Sequence, residues 1–221
     1  VTHHPINFCG TFFVEGVGSV NKEKRLISTS ICDTVGIAPI IETLNLWNEI
    51  SSVSIVSLHP WLSYQNLVDG SVRSISSPGH SWKDFALGRS STESLIPKQT
   101  SISRSLKDLI SSKIDISSMS FRTPTAIVTN AILHITFKDD LIGFNSIELV
   151  DMFNHDKFKD VISINSKSLV SIDFKGREDS SIIDTRYIMK TSNNQLRIIV
   201  WYDNEWGYSS SVIRRINSIR Y

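Results

Sequence analysis

Apolar residues recur along this chain with two periods, and the period changes at Cys32. Before that point the pattern is short and strand-like. "TFFVEGV" (11–17) and "LISTS" (26–30) read as strands around a polar turn, "NKEKR" (21–25). From Cys32 onward Ile37, Ile40, Ile41, Leu44 and Trp47 fall at helical spacing and predict one apolar helix face. "VSIVSLH" (53–59) returns to a strand, and residues 60–97 read as a long loop rich in Ser, Gly and Pro. "TSISRSLKDLI" (100–110) predicts a helix with Ile102, Leu106, Leu109 and Ile110 on one face.

The second half is mainly strands. "MSFRT" (119–123), "TAIVTNAILHITF" (125–137), "SLVSIDF" (168–174), "SIIDTRYIM" (181–189) and "QLRIIVWYD" (195–203) all carry that pattern. Asn193-Asn194 marks a hairpin turn between the last two. "SIELVDMFNHDKF" (146–158) predicts a helix among them. In the final segment, "EWGYSSSVIRRINSIRY", Val212, Ile213, Ile216 and Ile219 take helical spacing, which turns Arg214, Arg215 and Arg220 mainly to solvent. Two or three helices on a mostly antiparallel sheet make an α+β layered structure.

Composition changes this picture in one respect. Serine occurs 36 times and alanine only 4 times, so intrinsic helix propensity is weak and the spacing of apolar residues has to decide each helix. The formal net charge of +1 favours neither nucleic acid nor an acidic membrane surface as partner. No apolar run approaches the roughly 18 residues of a membrane span. The two cysteines, Cys9 and Cys32, make no disulfide framework and suit an intracellular, reducing compartment. His3-His4 has no matched partner ligands, so no metal site is expected.

The segment "WYDNEWGYS" (201–209) resembles the carboxy-terminal signature of the glyceraldehyde-3-phosphate dehydrogenase family. The likeness runs back along the chain. "FRTPTAIV" (121–128) resembles that family's FRVPTPNVSV, and "ICDTVGIAP" (31–39) its SCTTNCLAP. "SLHPWLSYQNLVDG" (57–70) resembles TVHAITATQKTVDG, and "SWKDFALGRSSTESLIP" (81–97) the family's arginine-bearing S-loop. Cys32 and His59, 27 residues apart, then fall on the catalytic cysteine and histidine at the family's spacing. The resemblance further implies that Asn204 holds the carboxamide of an NAD cofactor, and that Arg122, Arg89 and Thr100 belong to the anion-binding region for substrate or phosphate.

A free thiol titrates at about 8.5 and is only a few per cent thiolate at neutral pH. A cysteine at a helix amino terminus beside an imidazolium is expected to titrate lower, because helix N–H groups and the cation both favour the thiolate. Several departures lie near this chemistry. Hydroxyl residues that flank the family cysteine are Ile31 and Asp33 here, and two threonines after the family histidine are Leu62 and Tyr64. Ser101 and Val35 replace a glycine and an asparagine, and the segment from 71 to 88 is longer than usual. Asp33 is expected to repel a phosphate in a poorly screened site.

No G-x-G-x-x-G dinucleotide fingerprint occurs in the sequence. The resemblance therefore implies three parts: residues 1–31 as remnant strands of a cofactor domain, 32–203 as a catalytic-like domain, and 204–221 as a helix that packs on a cofactor domain. Two functions follow as expectations. One is a degenerate domain acting as a structural or interaction subunit of a larger assembly. The other is the catalytic half of an NAD-dependent phosphorylating aldehyde dehydrogenase that works through a cysteine thioester. Both expect other protein subunits: a separate amino-terminal NAD-binding half, a homo-oligomer or a larger complex.

Overall fold

The computed structural model describes residues 1–4, 10–17, 26–63, 65–70, 85–110, 113–155 and 158–219. A two-stranded parallel pair, β1 (Thr11–Phe12) with β2 (Ile27–Ser28), precedes a seven-stranded mixed sheet. That sheet contains β3 (Ile50–Pro60), β4 (Ile96–Lys98), β5 (Asp115–Thr123), β6 (Thr129–Phe137), β7 (Ile162–Asn165), β8 (Ser181–Ser192) and β9 (Gln195–Tyr202), in the spatial order β4-β5-β3-β6-β9-β8-β7. The pairings β3–β5 and β7–β8 are parallel; the other four are antiparallel. The helices are α1 (Cys32–Trp47), α2 (Ile102–Leu109), α3 (Ser146–Phe153) and α4 (Trp206–Ile219). This is the expected α+β arrangement of a mostly antiparallel sheet with helices.

Alternation along the strands fixes the core. Val53, Ile55, Ala131, Leu133, Ile135, Leu196, Ile198 and Val200 point to one face and are buried against α1 and its neighbours. Val56, Leu58, Phe121, Ile132 and Ile199 point to the other face and stay half-buried, with Met119 exposed. Helix α1 meets β8, β9, α2, α3 and α4. Residues 33–41 are therefore buried all round, and the single apolar face predicted from spacing understates its burial. Val14 and Val17 join the same core as α1.

Several elements differ from the sequence reading. "SLVSIDF" is no strand: Ser171–Phe174 form a 3₁₀ turn, held by Asp173 Oδ2 accepting from Val170 N–H at 2.8 Å. Its alternating Val170 and Ile172 lie exposed while Phe174 stacks on Trp201, so a local side-chain hydrogen bond overrides the strand pattern. The edge strand on this side of the sheet is the short β7, which the sequence reading did not distinguish. Strand β6 begins only at Thr129, because Val128 is left-handed at φ +71°. Helix α3 ends at Phe153 rather than continuing to 158. The turn 21–25 and the middle of the loop, 71–84, lie outside the described residues.

The largest correction concerns α4. Gly207, Ser211 and Arg215 form its buried stripe, and Arg215 is only 1 % exposed. Trp206, Ile213 and Ile216 face outward. Gly207 explains the rotation: a Cβ there would lie 2.7 Å from the Asp179 carbonyl oxygen, so this helix face approaches its neighbour with no side chain between. Arg214, on the flank, pairs with Glu15 at 3.1 Å.

Candidate functional site

Four strands end together beside the start of α1. His59 of β3 stands opposite Arg122 of β5, and Thr129 of β6 opposite Tyr202 of β9. Each is an inward residue at its strand's end, so alternation alone brings His59, Arg122, Thr129 and Tyr202 to one corner of the sheet. Helix α1 delivers Cys32 and Asp33 to that corner. Ser30 is left-handed at φ +61° and Ile31 is extended, which stops the incoming chain and starts the helix at Cys32.

Beside this corner lies a cavity of about 430 Å³. Cys32, Asp33, His59, Arg122, Thr100 and Asn204 all line it, with Lys98, Gln99, Ser101, Ser120 and Glu205 supplying further polar surface and Ile31 and Leu62 apolar surface. Of the residues singled out from sequence, five of six therefore meet in one place. Arg89 is the exception. It lies exposed outside this lining, and its Nε donates to Asp69 Oδ1 at 2.9 Å. Tyr64 lies outside the described residues.

Asp33 sets the electrostatics. His59 Nε2 is 2.8 Å from Asp33 Oδ1, and the Tyr202 hydroxyl donates to the same oxygen at 2.6 Å. The other imidazole nitrogen, Nδ1, shares a hydrogen bond with Thr129 Oγ1 at 3.2 Å. Both nitrogens of His59 are thus engaged by the protein. Burial alone would raise Asp33, but the His59 charge and the hydrogen bonds from His59 and Tyr202 outweigh it and hold the carboxyl below its ordinary value. Tyr202 is pushed well up, first by burial and then by Asp33, and so remains an O–H donor.

The thiol departs from expectation. Burial pushes Cys32 far above its ordinary value, and the adjacent Asp33 carboxylate adds to the rise. The Asp33 backbone N–H and Arg122 act in the expected lowering direction and do not offset this. The helix-terminus effect is present but loses to desolvation and a like-signed neighbour. Asp33 does not stand alone in the cavity lining: its Oδ1 is engaged by His59 and Tyr202, and the carboxylate remains charged.

Three cavity residues keep hydrogen-bonding capacity or mark a second role. Arg122 is 8 % exposed; one guanidinium N–H donates to the Pro60 carbonyl at 3.1 Å, and its buried Nε–H has no partner among the described residues. Asn204 Oδ1 is a buried acceptor without a partner there. Asn204 does not cap α4; Asp203 does, accepting from the N–H groups of Glu205 at 2.9 Å and Trp206 at 2.8 Å. Thr100 Oγ1 accepts from Ile102 N–H at 3.2 Å at the start of α2.

The sequence reading passed over Lys98, Thr129 and Tyr202. Tyr202 and Thr129 were legible as inward strand-end positions once the strand boundaries are known. Lys98 carries no such signal; it reaches the cavity because β4 pairs with β5, placing Ile96 opposite Arg122 and Lys98 opposite Ser120. Among the described residues no group of three or more His, Cys, Asp or Glu side chains is placed to hold a metal. No helix there is long and apolar enough to cross a membrane.

Comparison with known proteins accounts for this constellation. The family profile described as "Glyceraldehyde 3-phosphate dehydrogenase, C-terminal domain" matches residues 31–204. The chain is 29 % identical over 203 residues to the glyceraldehyde-3-phosphate dehydrogenase of Schizophyllum commune, a span that covers 90 % of this chain and 58 % of that protein. It is 29 % identical over 189 residues to glyceraldehyde-3-phosphate dehydrogenase 2 of Staphylococcus aureus, covering 85 % and 52 %. With the Sclerotinia sclerotiorum glyceraldehyde-3-phosphate dehydrogenase the identity is 27 % over 210 residues, covering 94 % and 60 %. The chain thus spans little more than half the length of these relatives. With the profile covering most of its length, from the residue before the cavity's cysteine to Asn204, the chain belongs to the glyceraldehyde-3-phosphate dehydrogenase family, as a C-terminal domain.

Proposed function

We propose that this chain is a family member whose thioester chemistry is switched off and which serves as an interaction subunit of a larger assembly. One observation carries the reading: the His59 Nε2–Asp33 Oδ1 contact of 2.8 Å occupies the nitrogen that would otherwise take a proton beside Cys32. The upward push on the thiol agrees with it. A protonated thiol is a poor nucleophile, and His59 spends Nε2 on Asp33 and Nδ1 on Thr129 rather than on the thiol.

The surface supports the assembly half of the reading. Trp206, Ile213 and Ile216 form an outward apolar stripe on α4, and the sheet face opposite the main core carries Val56, Leu58, Phe121 and Ile132 half-buried. A cofactor-binding half supplied by another chain or by residues outside this sequence would cover α4. Residues 1–31 would then be the tail of that half. The orphaned Asn204 Oδ1 suits an amide N–H donor, so it fits the carboxamide of NAD held by such a half. When bound, NAD would supply the hydride acceptor.

The second reading, the catalytic half of a phosphorylating aldehyde dehydrogenase, is favoured by one fact: Cys32, His59, Arg122, Thr100 and Asn204 line one cavity. A single experiment separates the two. The chain is mixed with the NAD-binding half of a relative, NAD, phosphate and glyceraldehyde 3-phosphate. The interaction reading expects a complex with NADH formation at least about 100-fold below that of the relative's own C-terminal half, the scale of a lost general base. NADH formation near the relative's rate that disappears in Cys32→Ser would establish the catalytic reading instead. Ile213→Asp should abolish the complex while changing the chain's own stability by less than about 0.5 kcal/mol.

A further inference from the structure

The cavity holds a second nucleophile. Lys98 ends the edge strand β4, is half-buried, and reaches the same space as Cys32 and Arg122. Its ammonium has no ion-pair partner among the described residues. Arg122, one strand away, keeps a buried Nε–H without an acceptor. Of the carboxylates nearby, Asp33 Oδ1 is engaged by His59 and Tyr202, and Glu205 is exposed.

We propose that Lys98 captures carbonyl ligands: a small aldehyde carrying an anionic group enters the cavity, sets its anion on Arg122 and condenses with Lys98 Nζ to an imine. The amine lone pair attacks the carbonyl carbon to give a carbinolamine. Both amine protons then leave with the carbonyl oxygen as water, and a C=N bond replaces C=O. Nothing is oxidised or reduced. A lysine that is desolvated and placed beside another cation is the arrangement that favours this chemistry. Burial first, and then Arg122, push Lys98 below its ordinary value, against smaller opposing pulls from Asp33 and Cys32. Cys32 is pushed the other way. The two shifts run in opposite senses, toward the free amine at Lys98 and toward the protonated thiol at Cys32.

This inference goes beyond the interaction-subunit reading and does not rest on it. The test is reductive trapping on the full chain at neutral pH, with limiting glyoxylate or propionaldehyde and cyanoborohydride, followed by peptide mapping. Carboxymethylation should appear at Lys98 ahead of the exposed lysines Lys107, Lys138 and Lys175. The glyoxylate-to-propionaldehyde ratio should be several-fold higher at Lys98 than at those three. Lys98→Arg, which keeps the cation, should leave only the surface background, and in Cys32→Ser the label should still appear at Lys98. Arg122→Gln should bring the ratio at Lys98 down to the surface value; the wild-type ratio decides alone if that variant does not fold. Labelling of Lys98 no faster than the surface lysines, an equal ratio at all sites, or loss of labelling in Cys32→Ser overturns the proposal. None of these outcomes depends on NADH formation, so the two readings fail separately.

Discussion

Asp33 Oδ1 lies 2.8 Å from His59 Nε2 and accepts the Tyr202 hydroxyl on the same atom. One carboxylate oxygen thereby ties the imidazole and the Tyr202 ring to the first turn of the helix that carries the thiol. Its charge acts on both neighbours: it holds His59 by attraction and disfavours a thiolate at Cys32 by repulsion.

Asp33→Asn keeps the shape and removes that charge. The iodoacetamide alkylation rate of Cys32 at pH 7 should rise about tenfold or more, with the midpoint of the rate–pH curve moving down. Burial is the larger cause of the raised thiol, so the variant should recover only part of an ordinary cysteine's reactivity. An unchanged rate profile would mean that burial alone controls Cys32, and the Asp33 account would be wrong.

Acid should weaken the fold through two aspartates. Asp33 and Asp184 are both buried, and both are held below the ordinary value of 3.8. For Asp184 burial pushes upward, but hydrogen bonds from Arg186 at 2.6 and 2.8 Å and from Trp201 Nε1 at 3.3 Å prevail. A carboxyl lowered in the folded state contributes stability that is complete above its unfolded value and is lost as pH falls through the folded value. Urea midpoints should therefore hold above about pH 5 and drop progressively below about pH 4. Asp184→Asn should lower stability at pH 7 by about 1–3 kcal/mol and flatten part of that acid loss. An acid profile identical in wild type and variant would remove Asp184 from the explanation.

Gly36 ties the helix to the site. A Cβ built there would meet Tyr202 Cδ1 at 2.8 Å, Cγ at 3.0 Å and Cε1 at 3.2 Å. The ring whose hydroxyl holds Asp33 therefore packs flat on α1, and the Gly36 carbonyl also accepts from Ser181 Oγ at 2.5 Å. Gly36→Ala should gain helix propensity yet lose about 1–3 kcal/mol overall through overpacking. It should also raise Cys32 alkylation, because a displaced ring pulls on the Asp33 hydrogen bond. Stabilisation by the alanine would show that the ring moves freely.

The parts legible in the sequence are those governed by long apolar repeats. The strands carrying His59 and Tyr202 and the start of α1 at Cys32 fall where period and turn chemistry place them. The hairpin β8–β9, closed by Asn193 and Asn194, does too. Family motifs then named Cys32, His59, Arg122, Thr100 and Asn204, which the fold gathers at one cavity. What escaped is decided by contacts between distant segments. Asp33 could be noticed as a departure, but only the β6–β9 register shows Tyr202 and Thr129 closing around the Asp33–His59 pair. Lys98 depends on an edge-strand pairing, and the "SLVSIDF" error on one aspartate hydrogen bond. The rotation of α4 is hidden because its apolar residues and its buried stripe are different residues.

That rotation gives the last expectation. Arg215 is 1 % exposed, and one guanidinium N–H donates to the Thr29 carbonyl at 3.1 Å. Its Nε and Nη2 have no partners among the described residues. Burial pulls its value below the ordinary arginine range, down to about 10, with Glu15 opposing. For a base, a folded value below the unfolded one means that the cation is less comfortable in the fold than in water. The penalty is complete below about pH 10 and fades as pH rises toward the ordinary arginine range. Replacing such a cation by an apolar side chain of similar reach removes the desolvation cost. Arg215→Leu should therefore stabilise the chain at pH 7 by about 1–3 kcal/mol despite losing the Thr29 contact. In thermal unfolding this corresponds to roughly 2–4 °C per kcal/mol. Ile213 and Ile216 keep facing outward in the variant, so binding of any partner along α4 should be unaffected. A loss of stability on this substitution would mean that the Thr29 bond and the Glu15 field outweigh burial, and that the arginine is a clamp holding residues 26–30 to the final helix.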